Sequence, residues 1–284
     1  MPKLKLPAPP LPGKLQPKPK RPGLKFNAAT HRYWLDGKPV PGVTTILGVL
    51  DKPAIPKWAA GQVAEYVADN PDGVETLRGM GRGPMVQALK GIPWQKRDDA
   101  GARGNVLHDY AEQILNGQEV EVDEEHVPVM ESALAFMDDW HIKPLLVEAP
   151  VASREHWWAG TLDLIAQYRH PVTGHEGVMI ADWKSGKALY PEYALQMAAY
   201  AHAEFTGLGG DEKPLPTCDM ALGVQIRADG YDACPMEFGP HVYEEFVAVR
   251  RAYDIAKRMR GNWKVPGSGY VGLSISPNTE QEAS

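Results

Sequence analysis

Asp182 and Lys184 stand two positions apart in IADWKSGK (180–187), inside an apolar run that ends at a Ser-Gly turn signal. Residues i and i+2 of a β-strand point to the same face, so this aspartate and lysine share one with Val178 and Ile180. Such a pair is either a local ion pair or half of a centre in which a divalent cation and an ammonium group act on water. The preceding run, AGTLDLIAQY, carries a lone acid, Asp163, in an equally apolar setting. If RHPVTGHE (169–176) is a hairpin loop symmetric about the Val172-Thr173 bond, Asp163 lies opposite Asp182. Two carboxylates facing each other across central strands repel, raising a pKa or costing several kcal/mol. A divalent cation relieves that repulsion, and Lys184 on the same face is suited to position or activate a water. An ion pair confined to Asp182 and Lys184 leaves Asp163 unexplained.

Three further stretches bear on this centre. A tight turn at Arg154-Glu155 in VEAPVASREHWWAGTLD would put Glu148 on the face of Asp163 and diagonal to it. Glu148 is then a metal or water ligand, or else a strand-edge charge; Arg-Glu is not a preferred two-residue turn. In RGNVLHDYAEQIL the apolar stripe is Leu107, Tyr110, Ala111 and Ile114, so His108 lies beside the core-facing stripe with Glu112 one turn on. In YALQMAAYA, Gln196 and Tyr200 are one turn apart and face the same way.

The elements that must position these residues follow from periodicity and turn signals. Ordered structure is expected from Phe26, where aromatic and β-branched residues flank the hairpin signal Asp36-Gly37. From about Pro56 to His141 apolar residues recur at helical spacing, with breaks expected around Gly79 to Pro84 and Gly91 to Pro93, and a further helix over Asp123 to Trp140. Strand-like runs follow at Leu145 to Val151, Trp158 to Gln167 and Val178 to Lys184. After them come a helix from about Pro191 to Phe205, strands near Met220 to Ile226 and Ala233 to Phe238, and a helix from His241 to Arg260. The order predicts a single α+β layered domain over residues 26–262, with a helical part at about 56–141 and a sheet-bearing core at about 142–262. A basic, Pro-rich tail (1–25) and a Gly/Pro/Ser-rich tail (263–284) flank it.

Composition sets limits. With 284 residues and 43% hydrophobic residues, the chain can bury a substantial core. No apolar run approaches the roughly 18 residues that span a bilayer, and the start is a proline-lysine tract, so no membrane role and a cytoplasmic location are expected. Cys218 and Cys234 are too few for a disulfide framework or a four-thiolate cluster and read as small buried hydrophobes. The net charge of -6 argues against general nucleic-acid stickiness. The first 25 residues, however, hold Lys3, Lys5, Lys14, Lys18, Lys20, Arg21 and Lys25 with no acid, a candidate phosphate-binding arm. There is no H-E-x-x-H zinc site and no G-x-S-x-G elbow; His202 and His241 read as surface or boundary residues.

In order and spacing, Gly104-x-x-x-His108, Glu148, Gly160-Thr161-Leu162-Asp163, Asp182-Trp183-Lys184 and Gln196-x-x-x-Tyr200 resemble the PD-(D/E)XK nuclease superfamily, specifically its RecB-like, phage-type exonuclease branch. HRYWLDGKPVPGVTTIL also resembles the leading hairpin of phage-type members, so the likeness covers about residues 26–205. The resemblance implies a restriction-endonuclease-like core: a central mixed sheet flanked by helices, with an N-terminal hairpin and a helical insertion. It implies one or two Mg²⁺ or Mn²⁺ ions held by His108, Asp163, Asp182 and the Trp183 carbonyl, consistent with hard oxygen donors and one imidazole. Lys184 would position or activate the attacking water, and Gln196 and Tyr200 would sit beside DNA, with Arg103 and Lys187 as further DNA contacts. The reaction implied is hydrolysis of phosphodiester bonds to 5'-phosphate and 3'-hydroxyl ends, by a DNA exonuclease of phage recombination, replication or DNA processing, acting on linear ends or a single strand, with a recombination or replication protein as a possible partner. The iron-sulfur cluster of several RecB-like branches has no cysteines to hold it here. Gly186-Lys187, followed by Ala188, is not a nucleotide-binding phosphate loop. A structure- or site-specific endonuclease of the same fold and a non-cleaving DNA-end or protein-binding module are the alternatives.

Overall fold

The computed structural model describes residues 23–186, 188–207 and 210–262, apart from the side chains at positions 99, 100, 103, 261 and 262. Three short antiparallel strands open the fold: β1 (Leu24–Asn27), β2 (Arg32–Leu35) and β3 (Lys38–Val40), in the order β1-β2-β3. The β2–β3 turn is the expected Asp36-Gly37, with φ of 50° and 79°, as a hairpin turn with two left-handed residues requires. A short helix, α1 (Val43–Leu47), leads into α2 (Ala54–Asp69), α3 (Pro71–Gly79), α4 (Arg82–Leu115) and α5 (Val127–Asp139).

The principal sheet consists of β4 (Lys143–Ser153), β5 (Trp158–Arg169), β6 (Glu176–Lys184), β7 (Phe205–Thr206), β8 (Met220–Arg227) and β9 (Gly230–Pro235), in the order β7-β4-β5-β6-β8-β9. Only the β6–β8 pair is parallel; α6 (Glu192–Ala201) lies on the connection between them, and α7 (Pro240–Asn262) closes the described chain. The result is a mixed α/β protein whose mixed sheet is flanked by helices.

Side-chain alternation builds a core on each face. Met179, Ala181 and Trp183 of β6 pack with Leu107 and Ala111 of α4, with Phe136 of α5 and with Trp140, which caps α5. Ile180, between them, points the other way, to Val43 and Ile46 of α1, Met197 and Tyr200 of α6 and Phe246 of α7. Trp183 and Phe136 meet edge to face at 5.5 Å, and each side chain fully buried in this way contributes about 1.5–3 kcal/mol.

Four expectations need correcting. No break occurs at Gly91 to Pro93, because α4 runs through both; Ile92 and Pro93 are buried, and that packing offsets the lost backbone hydrogen bond. The helix expected to reach Phe205 ends at Ala201, since Phe205 pairs with Ala152 of β4 and packs with Leu35, Val40 and Ala159. The last strand lies at Gly230–Pro235, upstream of the expected position, because Ala228-Asp229 turns the chain directly after β8 and Gly230 (φ 142°) already pairs with Arg227. The β4–β5 turn spans four residues, 154–157, with Trp157 at φ 52°, instead of the two-residue turn expected. Both cysteines are half-buried and free. Residues 1–22 and 263–284, which hold nearly all of the expected tails, and Lys187 lie outside the described residues.

Candidate metal centre

The centre forms where β4 and β5 both change face. Val147 and Leu164 are paired and pack with the α4–α5 core, whereas Ala149 and Leu162, the next regular pair, pack with the core on the opposite side. Strict alternation would keep Val147 and Ala149 on one face, so the reversal falls on the residues between these pairs, Glu148 and Asp163. Glu148 adopts φ 44°, a left-handed conformation that a non-glycine residue holds only when its surroundings fix it. The four-residue turn also moves the register by two, placing Glu148 level with Asp163 where a diagonal relation was expected.

The β5–β6 register agrees with the expected one: Leu164 pairs with Ala181 and Ile165 with Ile180. Beyond Leu164 the Trp183 N–H donates instead to Asp163 Oδ2 at 2.8 Å, so a side chain takes over a backbone partner at the centre.

The long helix α4 delivers His108. Its Nδ1 lies 3.2 Å from Glu148 Oε1 and 3.5 Å from Asp163 Oδ2. His108, Glu148 and Asp163 each offer a ligand atom, and all three atoms fall within 4.8 Å of one another. Gly104, one turn before His108, lets the helix approach the loop after β6; a Cβ there would stand 3.2 Å from Ser185 Oγ.

Asp182 and Lys184 complete the constellation from β6. Asp182 is buried; Gln196 Nε2 of α6 donates to its Oδ1 at 2.8 Å, and its Oδ2 is in ion-pair contact with the Lys184 ammonium. Lys184 also lies over the Tyr193 ring, 4.7 Å from its centroid. Tyr200 packs against Gly160, whose absent side chain makes the room: a Cβ there would lie 2.5 Å from the Tyr200 ring. Tyr193, Gln196 and Tyr200 thus form one stripe of α6, touching Lys184, Asp182 and β5 in turn. Gln196 and Tyr200 are both buried, so they support the centre from behind. Arg103 belongs to α4, but its side chain is outside the described set, as is Lys187.

Two contacts were not anticipated. Tyr193 is set three residues before Gln196, a spacing visible in the sequence, but only the fold brings it to Lys184. The Tyr33 hydroxyl of β2 meets Thr161 Oγ1 at 2.9 Å, linking the small sheet to β5 two residues from Asp163; nothing local in the sequence signals that.

The protonation of this cluster is unusual. Burial pushes Asp182 up to about 7, assisted by Asp163 and opposed by Lys184. Burial likewise raises Asp163, against the lowering effect of His108 and Lys184. Burial alone would lower His108, yet Asp163 and Glu148 outweigh it and lift the imidazole to about 9. Lys184 is also raised, burial being outweighed by Asp182 and Asp163. Like charges about 4 Å apart repel by about 4 kcal/mol at an effective dielectric near 20, so protons or cations must collect here.

The residues fit a divalent cation. Carboxylate oxygens and one imidazole are the donor set of Mg²⁺ or Mn²⁺, and the ligand atoms of His108, Glu148 and Asp163 lie close enough together to share one ion. Fold and site together define a mixed α/β protein with a candidate hard-cation centre beside a buried lysine. No family model matches the chain, and no curated protein matches it either. Among the described residues no helix is long and apolar enough to cross a membrane.

Proposed function

We propose that the protein is a metal-dependent deoxyribonuclease with a restriction-endonuclease-like core of the PD-(D/E)XK type, acting as an exonuclease on DNA. One observation carries the reading: five residues from four elements, His108, Glu148, Asp163, Asp182 and Lys184, converge at the point where β4 and β5 change face. A purely structural role would favour fewer buried carboxylates, because each one left unneutralised costs stability.

His108, Glu148, Asp163 and Asp182 would hold Mg²⁺ or Mn²⁺. The bound ion would polarise a phosphate oxygen and make a water more acidic. Lys184 is the only ammonium in contact with the cluster among the described residues. It would hydrogen-bond the attacking water or the phosphate, taking up negative charge as the phosphorus becomes five-coordinate. Its aim is set by Asp182 and the Tyr193 ring, while Gln196 fixes Asp182. The attacking water would place its oxygen on phosphorus and release a proton to solvent as the bond from phosphorus to the 3'-oxygen breaks, and the departing oxygen would take a proton from solvent, giving a 5'-phosphate and a 3'-hydroxyl.

The decisive assay compares end-labelled linear, nicked and closed circular DNA with and without Mn²⁺. Mn²⁺-dependent release of nucleotides from linear DNA is expected, with a loss of at least about a hundredfold in Asp182→Asn and Lys184→Ala. Full activity in either variant would overturn the site assignment. Cutting of closed circles would instead mark an endonuclease of the same fold.

A further inference from the structure

The helix that carries His108 also presents an unexplained face. Lys90, Trp94, Arg97, Gly101, Gly104 and His108 follow one another at steps of four and three residues. At about 100° per residue they stay within about 40° of a single line along α4. Lys90, Trp94, Arg97 and Gly101 are exposed, Trp94 to 49%, whereas Ile92 and Pro93 are buried. The Arg97 guanidinium lies over the Trp94 ring, 4.9 Å from its centroid, while also pairing with Asp98 at 2.7 Å. A Cβ on Gly101 would meet nothing within 4 Å, so the helix surface is open there, one turn before Gly104 meets the loop after β6 at Ser185.

A large exposed aromatic, a cation stacked on it and a second cation one turn away are the elements of a polynucleotide stacking platform. The line they form ends on a candidate metal ligand. We infer that this face of α4 is a track for a single DNA strand, in which a base stacks on Trp94 while the backbone runs over Gly101 and then past the Ser185 loop, which packs on Gly104, towards the His108 centre. The distance from Trp94 to His108 along the helix is about 21 Å at 1.5 Å per residue. That is room for about six nucleotides at a stacked rise of 3.4 Å, and for fewer if the strand is stretched. Unpaired bases are required, since the rings of a duplex are already stacked on each other. The inference rests on the DNA-hydrolysing reading of the centre and specifies the form of its substrate.

The test is binding of a fluorescein-labelled oligothymidylate of about twelve nucleotides to the whole chain in Ca²⁺, with the oligomer's integrity checked on a gel. Trp94→Ala is expected to weaken binding roughly five- to hundredfold and Trp94→Phe to restore most of it. Hydrolysis of the p-nitrophenyl ester of thymidine 5'-phosphate, too short to reach Trp94, should be unchanged in both variants. Circular dichroism and the melting temperature check that the variants are folded. If the wild type degrades DNA but Trp94→Ala binds the oligomer normally, the track is wrong and the hydrolytic reading stands; the exposed ring then serves another partner. Trp94-dependent binding without hydrolysis in Mg²⁺ or Mn²⁺ supports the track and overturns the hydrolytic reading. No binding by the wild type overturns the track.

Discussion

At the residue scale, burial and neighbouring charges raise the proton affinity of Asp182 and His108, so the cation proposed for this centre would have to displace protons. A group whose folded pKa is raised stabilises the fold fully below its unfolded pKa, and that contribution is lost as pH rises through the folded value. For Asp182 the loss therefore runs from about 4 to about 7, and for His108 from about 6.5 to about 9. Both favour the metal-free fold on the acid side, and both protons compete with a cation for the same atoms. The rise in melting temperature caused by Mn²⁺ should accordingly grow from pH 6 to pH 9; thermal melts with and without Mn²⁺ would show it, and a constant rise would contradict the ligand set. Asp182→Asn removes a buried charge already opposed by Asp163. At pH 8 and without metal it should stabilise the fold by about 1–2 kcal/mol, or about 2–8 °C, while reducing the Mn²⁺-induced rise. Chemical and thermal denaturation measure both effects.

At the element scale, glycines set the distances between elements that side chains then exploit. Gly160 allows Tyr200 of α6 to lie directly on β5, and Gly104 brings α4 close to the loop after β6. Gly160→Ala would drive a Cβ into the Tyr200 ring and is expected to cost about 1–3 kcal/mol. The cost should fall markedly in a Tyr200→Leu background, which a double-mutant cycle of urea midpoints would read. These glycines stand in the sequence, and their motif spacing is visible there. Their partners, Tyr200 and Ser185, are not, because each contact joins elements far apart in the chain.

At the scale of the whole molecule, the small N-terminal sheet is attached to the large one by the apolar packing of Leu35 and Val40 on Ala152, Ala159 and Phe205 and by a polar clamp at Arg154. Arg154, in the β4–β5 turn, donates to both oxygens of Asp36 at 2.8 and 3.0 Å and to Glu212 at 2.5 and 3.0 Å, and its guanidinium covers the Phe205 ring at 4.5 Å. The multiplicity of these bonds distinguishes Arg154 from an isolated surface ion pair. Arg154→Met should lower global stability by about 1–2 kcal/mol and expose residues 23–40 to limited proteolysis well before the core. Cleavage distributed evenly over the chain would show that the clamp is dispensable.

Much of this arrangement was legible in the chain itself. Hairpin symmetry about Val172-Thr173 gave the β5–β6 register, since a short loop between two alternating runs leaves few pairings possible. Apolar periodicity also set most element positions, failing at Gly91 to Pro93, where buried side chains overrode local helix-breaking preferences. Glu148 could not be placed, because its part depends on a left-handed backbone and a face reversal that two strands make together. The sequence by itself determined where His108, Asp163, Asp182 and Lys184 fall in their elements and the order in which the chain presents them, since local spacing encodes those. Tertiary structure alone decided that Glu148 stands beside His108 and that Gln196 and Tyr193 hold the Asp182–Lys184 pair. Each of those facts is a distance between elements, and packing, not spacing, sets such distances.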